Sequence, residues 1–192
     1  VIVSVIEAVE AMIDKSEHGD LNTDFFEKAF DFFAMFADKC HHGKEEVHLF
    51  PMLESRGIPH QGGPIGCMLH EHDEGRAHVG AVRDALLSLS QGDHSAGEVV
   101  RLEARAFCEL LRQHIQKENQ VLFVVGDQAM YEADKELLVK KFNCTQHDTL
   151  PAGTHEKYTS LAGELRKAAG LGPAAPGLSC NRGEDIHTCH HR

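Results

Sequence analysis

The sequence predicts an all-α protein, an up-down four-helix bundle with short extra C-terminal helices, and three observations carry that expectation. Apolar residues recur at helical spacing over four long stretches. The breaks between them are short and rich in Gly, Pro and Asn. No stretch shows the strict apolar–polar alternation of a half-buried strand. Short connections between long helices imply antiparallel neighbours.

The first helix covers residues 1–17, with Val1, Val5, Ile6, Val9 and Ile13 on its apolar face, and it is broken by Gly19 and Asn22. The second runs from Thr23 to about Arg56, with Asn22 or Thr23 as N-cap and Gly57 just past its end. Gly57 to Pro64 reads as a loop. The third helix spans about Ile65 to Leu89 and is closed by Gly92. The fourth starts near Ser95 or Gly97 and reaches about Val125, before Gly126 and Asp127. Shorter helices are expected at 131–142 and 155–169. Residues 1–169 therefore form the expected bundle domain, and 170–192, with Pro173 and Pro176 close together, a linker into a poorly ordered tail.

Composition narrows the function classes. A chain of 192 residues that is 42% apolar is globular and buries a sizeable core. The net charge of −11 argues against a nucleic-acid partner. No apolar run approaches the roughly 20 residues that span a membrane. The cysteines at 40, 67, 108, 144, 180 and 189 lack CxxC spacing and are expected to be reduced thiols in a cytoplasmic protein. Fifteen histidines are the anomaly, because neutral imidazole is the commonest transition-metal ligand.

Two segments repeat one arrangement. Aligning Leu49-Phe50 on Leu122-Phe123 pairs His41 with His114, Lys44 with Lys117 and Glu45 with Glu118. Residues four apart share a helix face, so each segment offers one imidazole and one carboxylate to the same point. His42 and Glu46 have the same spacing. Steps back from His41 meet Ala37, Ala34 and Phe30, whereas steps back from His42 meet Asp38, Met35 and Asp31. The inward pair is therefore expected to be His41/Glu45, with His42 on a solvated face. His114 follows Leu110 and Phe107 and precedes Val121 on its stripe, and His72 shares one with Ile65, Met68, Leu69 and Val79. Burying such groups without partners costs several kcal/mol each, and metal coordination removes that cost. The separation of His72 from His114, carried back from His41, falls two residues before Val1, where a further histidine is expected.

The runs Cys40-His41-His42-Gly43-Lys44-Glu45-Glu46, Glu71-His72-Asp73-Glu74-Gly75-Arg76 and His114-Ile115-Gln116-Lys117-Glu118 resemble the hemerythrin family in its HHE cation-binding branch. The resemblance covers about residues 1–169. It implies a four-helix bundle around two non-haem iron ions, oxide- or carboxylate-bridged, with His41, Glu45, His72, His114 and Glu118 as ligands. Related chains also carry a histidine like His155, which the resemblance offers as an extra ligand; a surface helix start is the alternative. The family's helix-one histidine has no counterpart in this sequence.

The resemblance implies a protein that binds dioxygen or a related diatomic molecule as carrier, store or sensor. The alternative is a di-iron enzyme acting on peroxide, oxygen or nitric oxide, or one repairing iron centres. A structural zinc bundle is a third class. Catalysis needs a proton donor near the site, for which Glu71, Tyr158 and His155 are candidates. The terminal residues Cys180, His187, Cys189, His190 and His191 match no standard zinc spacing.

Overall fold

The computed structural model describes the backbone of residues 1–17, 20–149 and 153–173, and the side chains of all of these except 144–149. Most of the expected tail, with its cysteine and histidine cluster, lies outside the described residues. Among the described residues the chain is helical throughout and has no strand.

Helix α1 (Ile2–Ser16) buries Val5, Ile6, Val9, Met12 and Ile13. Helix α2 (Thr23–Phe32) starts where the Asn22 side chain accepts the Phe25 N–H at 3.1 Å, the capping bond that ends a run of orphan donors. It continues without a break through two π-helical stretches, π1 (Phe33–His42) and π2 (Glu45–Leu49), into α3 (Phe50–Ser55). Gly57 then turns the chain away at φ +89°. Pro64 opens α4 (Pro64–Ser90), which ends before Gly92 at φ +97°. Helix α5 (Ala96–Lys117) likewise runs through π3 (Glu118–Leu122) into α6 (Phe123–Ala129). Helices α7 (Glu132–Thr149) and α8 (Thr154–Ala168) follow.

Helices α4 and α5 form the most extensive contact. Helix α1 lies against α5 and α8, α2 against α4 and α8, and π1 against α4. Ion pairs pin the added helices. Arg56 grips Asp134 through two bonds of 2.7 and 2.5 Å, fastening α7 to the end of α3. Tyr158 donates to Asp31 at 2.8 Å, and Arg166 binds Glu7, so α8 is held to both α2 and α1.

Two separate hydrophobic clusters form the interior. One gathers α1, α2, α8 and the inner faces of α4 and α5, around Phe26, Phe30, Phe33, Val82 and Phe107. The other lies around Phe50, Leu53, Ile65, Met68, Leu122 and Leu138. Along each long segment the motif residues fall between them: His41 to Glu45 between Ala37 and Leu49, His72 between Met68 and Val79, and His114 and Glu118 between Leu111 and Leu122. A polar layer thus separates the two apolar cores.

Candidate metal centre

Two groups of donor atoms meet in that layer. His42, His72 and His114 form one, and His41, Glu45 and Glu118 the other; within each, the candidate ligand atoms lie within 4.8 Å of one another. The four residues of the repeated spacing, His41, Glu45, His114 and Glu118, and His72, expected from its apolar stripe, are all here. His155 is in neither group; at the start of α8 its ring lies 5.3 Å from that of Phe36. Tyr158 is committed to Asp31.

His42 reverses an expectation. It is buried at 7% exposure, whereas the His41 side chain is 28% exposed. An α-helical period would place His42 on the face of Asp38 and Asp31, but residues 33–42 form wider π turns, which rotate the downstream faces. Adjacent histidines therefore reach the centre together. The same effect displaces the stripe beyond Glu118, where Leu122 is buried and Val121 is 46% exposed.

Both motifs also share a π turn just after their histidines. The Phe50 N–H bonds to the Glu45 carbonyl and the Phe123 N–H to the Glu118 carbonyl, the i→i−5 bond of a π turn in each case. Pro51 follows the first turn, but Val124 follows the second, so proline does not account for the pair. Each turn starts at an inward glutamate.

Each imidazole of the first group is backed by a carboxylate. The His72 Nδ1–H donates to Glu46 at 2.7 Å, the His114 Nδ1–H to Glu71 at 3.0 Å, and the His42 Nδ1 faces Asp38 at 3.4 Å. A carboxylate only accepts, so each Nδ1 carries a proton, and in the neutral ring the Nε2 lone pair points into the layer. All three Nε2 atoms are buried without a hydrogen-bond partner, as are Glu45 Oε2 and both Glu118 oxygens. Across the layer His41 Nε2 stands 3.8 Å from Glu45 and 3.7 Å from Glu118, His72 Nε2 3.5 Å from Glu45, and His114 Nε2 3.4 Å from Glu118. These gaps are long for hydrogen bonds. They approach the roughly 3.4 Å between donors that share one ion at about 2.1 Å. The residues therefore fit a metal pair, with each glutamate facing histidines of both groups.

The electrostatics agree. Burial lowers the pKa of His42 and of His72 to about 3, so both rings are neutral and available as ligands. Burial and the neighbouring Glu118 push the Glu45 carboxyl well above its usual range. Burial also works against ionised Glu118, but in the metal-free site His41 and a protonated His114 outweigh it and hold that carboxyl well below. Burial opposes the charge on His114 too, yet Glu118 and Glu71 raise its pKa, so an incoming metal ion would displace that proton. Two facing carboxylates that cannot both ionise freely gain most from a cation between them.

A cavity of about 220 Å³ opens on the three-imidazole group. Its walls are mostly apolar, with Phe33, Ala37, Gly75, Val79, Phe107 and Leu110 among them, and Arg76 lines it beside His72. Glu71, a candidate proton donor, also lines it but is engaged by His114 and Lys117. Sequence reading gave Asp38 to a solvated face; the signal that it backs His42 was its helical spacing from that ring.

The family model for the hemerythrin HHE cation binding domain matches residues 1–125. The iron-sulfur cluster repair protein YtfE of Dickeya chrysanthemi (strain Ech1591) is 32% identical over 85 residues, 43% of this chain and 38% of that protein. The chain thus aligns with well under half the length of that relative. No solved structure matches it significantly.

Proposed function

Because the chain belongs to the hemerythrin HHE cation-binding domain family, we propose that its two ligand groups hold a pair of iron ions and that this centre binds a small diatomic molecule. The observation that carries this reading is the set of buried, unpartnered Nε2 and carboxylate atoms converging from three of the four long segments. Leaving them bare costs several kcal/mol each. When bound, iron supplies open coordination positions and reversible redox chemistry. The protein's own residues supply the rest. Glu45 and Glu118, each facing histidines of both groups, would hold both positions, Asp38, Glu46 and Glu71 fix the imidazole orientations, and the mostly apolar cavity gives a small ligand room beside them. Dioxygen, or nitric oxide, is the ligand class we assign, in a carrier, store or sensor. The four long segments make an up-down bundle to which α7 and α8 are added, and the cytoplasm is the proposed location; among the described residues no helix is long and apolar enough to cross a membrane.

A second reading, repair of damaged iron centres, is favoured by the similarity to the repair protein and by the partial exposure of the His41 side chain, 28%, which gives one metal position a short way out. Anaerobic reconstitution followed by metal analysis and optical spectroscopy separates these readings. Two irons per chain and a stable, reversible band with oxygen support ligand binding. Rapid bleaching, with iron passing to an iron–sulfur protein lacking its cluster, supports repair. Zinc throughout, with no iron uptake, sinks both.

A further inference from the structure

Arg76 sits on α4 one turn past His72, and its guanidinium is spent on three carboxylates. Nε donates to Asp38 at 2.9 Å, one terminal nitrogen to Glu46 at 2.7 Å and the other to Asp73 at 3.0 Å. The nitrogen on Glu46 also lies 2.8 Å from the same Asp38 oxygen. Asp38 and Glu46 are the groups that stand behind His42 and His72. The Glu46 oxygen that takes the Arg76 bond is the one that takes the His72 Nδ1–H. One guanidinium on α4 therefore fixes two carboxylates carried by π1 and π2, and through them two imidazoles of one metal position. The His42 and His72 rings are themselves stacked, 3.9 Å apart and 11° from parallel, so tilting one disturbs the other.

We propose that Arg76 is the positioning residue for the three-imidazole metal position, a clamp that locks His42 and His72 in the Nε2-inward state. This rests on reading those rings as metal ligands. Asp38 and Glu46 are partly exposed, at 30% and 27% of their side chains. Without the clamp, water competes for both, and each ring is free to exchange its Nδ1–H tautomer for the other. A lysine serves less well, since a single ammonium lacks the planar fork that holds two carboxylates of different segments at once. The third imidazole has the simpler version, a lone ammonium: Lys117 binds Glu71, which holds His114. Arg76 also lines the cavity, so the residue that sets ligand geometry borders the path of any incoming molecule.

The test has a metal-free and a metal-bound arm. In the metal-free protein, imidazole 15N resonances of the wild type should show His42 and His72 with Nδ1 protonated. In Arg76→Gln both should become tautomer mixtures while His114, held through Lys117, stays unchanged. Arg76→Lys, which retains the charge and folds if Gln does not, should lose one tautomer preference and keep the other. Arg101→Gln, removing an arginine paired with Glu98 on α5, controls for charge. Unchanged tautomers in Arg76→Gln, or in Arg76→Lys should Gln not fold, overturn the clamp, as do equal shifts in Arg101→Gln. In the second arm, Co²⁺ titration should show one of two ions bound about 10–100-fold more weakly in Arg76→Gln, the usual effect of losing an outer partner, with altered ligand-field bands. Unchanged affinity and bands also overturn it. A wild type that takes up fewer than two Co²⁺ defeats the metal-pair reading, and the nitrogen resonances still decide the clamp.

Discussion

His41 and His42 are neighbours in sequence and differ in kind in the structure. His41 completes the carboxylate-rich group, and His42 stacks on His72 in the imidazole group. The histidine and glutamate motifs were legible because their spacing repeats and a buried charge needs a reason. The role of His42 was not, because stepping back along an α period gave Asp38 and Asp31, which read as solvent-facing. Asp38 in fact faces the His42 ring and Asp31 takes the Tyr158 hydroxyl. The consequence is specific: His42→Ala should weaken one of the two metal ions by more than the roughly 100-fold that outer partners reach, as His41→Ala weakens the other. Competition against a chromophoric chelator measures this. Full retention of both ions in His42→Ala shows that its ring is not a ligand.

Helix boundaries were largely readable from Asn22, Gly57 and Gly92, each of which acts where its chemistry predicts. The π turns were not, since sequence periodicity is too coarse to register one extra residue in a thirty-residue run. Two element-level predictions follow from what the helices touch. A Cβ at Gly75 would lie 3.6 Å from Phe107 and 3.8 Å from Leu110, ordinary contact distances. Gly75→Ala should therefore raise stability by about 0.5–1 kcal/mol through helix propensity while narrowing the cavity. Thermal unfolding and stopped-flow binding of nitric oxide to the reduced iron form report the two effects, and an unchanged on-rate means ligands enter elsewhere. For α8, burial and the Asp31 carboxylate push the Tyr158 phenol up to about 12. The unfolded chain ionises its tyrosine near 10, so it releases the proton first. The stabilising contribution is intact below about pH 10 and is lost as pH rises toward 12. An ultraviolet tyrosinate titration should contain a late step that vanishes in Tyr158→Phe, with a cost of about 0.5–1.5 kcal/mol for the lost bond. A single early step in the wild type contradicts it.

For the whole molecule, the helical class was readable from the apolar stripes, and the division of the interior was not, because periodicity says which face is buried and nothing about where along the helix packing is interrupted. Between the two cores lies a polar layer in which the facing Glu45 and Glu118 carboxyl groups oppose each other's ionisation until cations arrive. Metal removal should therefore lower stability by several kcal/mol, seen as a fall in the unfolding midpoint that stoichiometric Fe²⁺ reverses. A midpoint indifferent to metal would sink this.

If the two positions hold ions as proposed, the divided interior would make those ions a mechanical coupling between two units expected to open separately without them. In the metal-free protein, amide hydrogens of the end around Leu53, Ile65 and Leu122 should exchange with solvent at a different free energy from those around Phe26, Phe30 and Val82. With both positions filled, the two sets should converge on one global opening event. Bound metal would then be legible far from any ligand, as a merger of two protection plateaus into one.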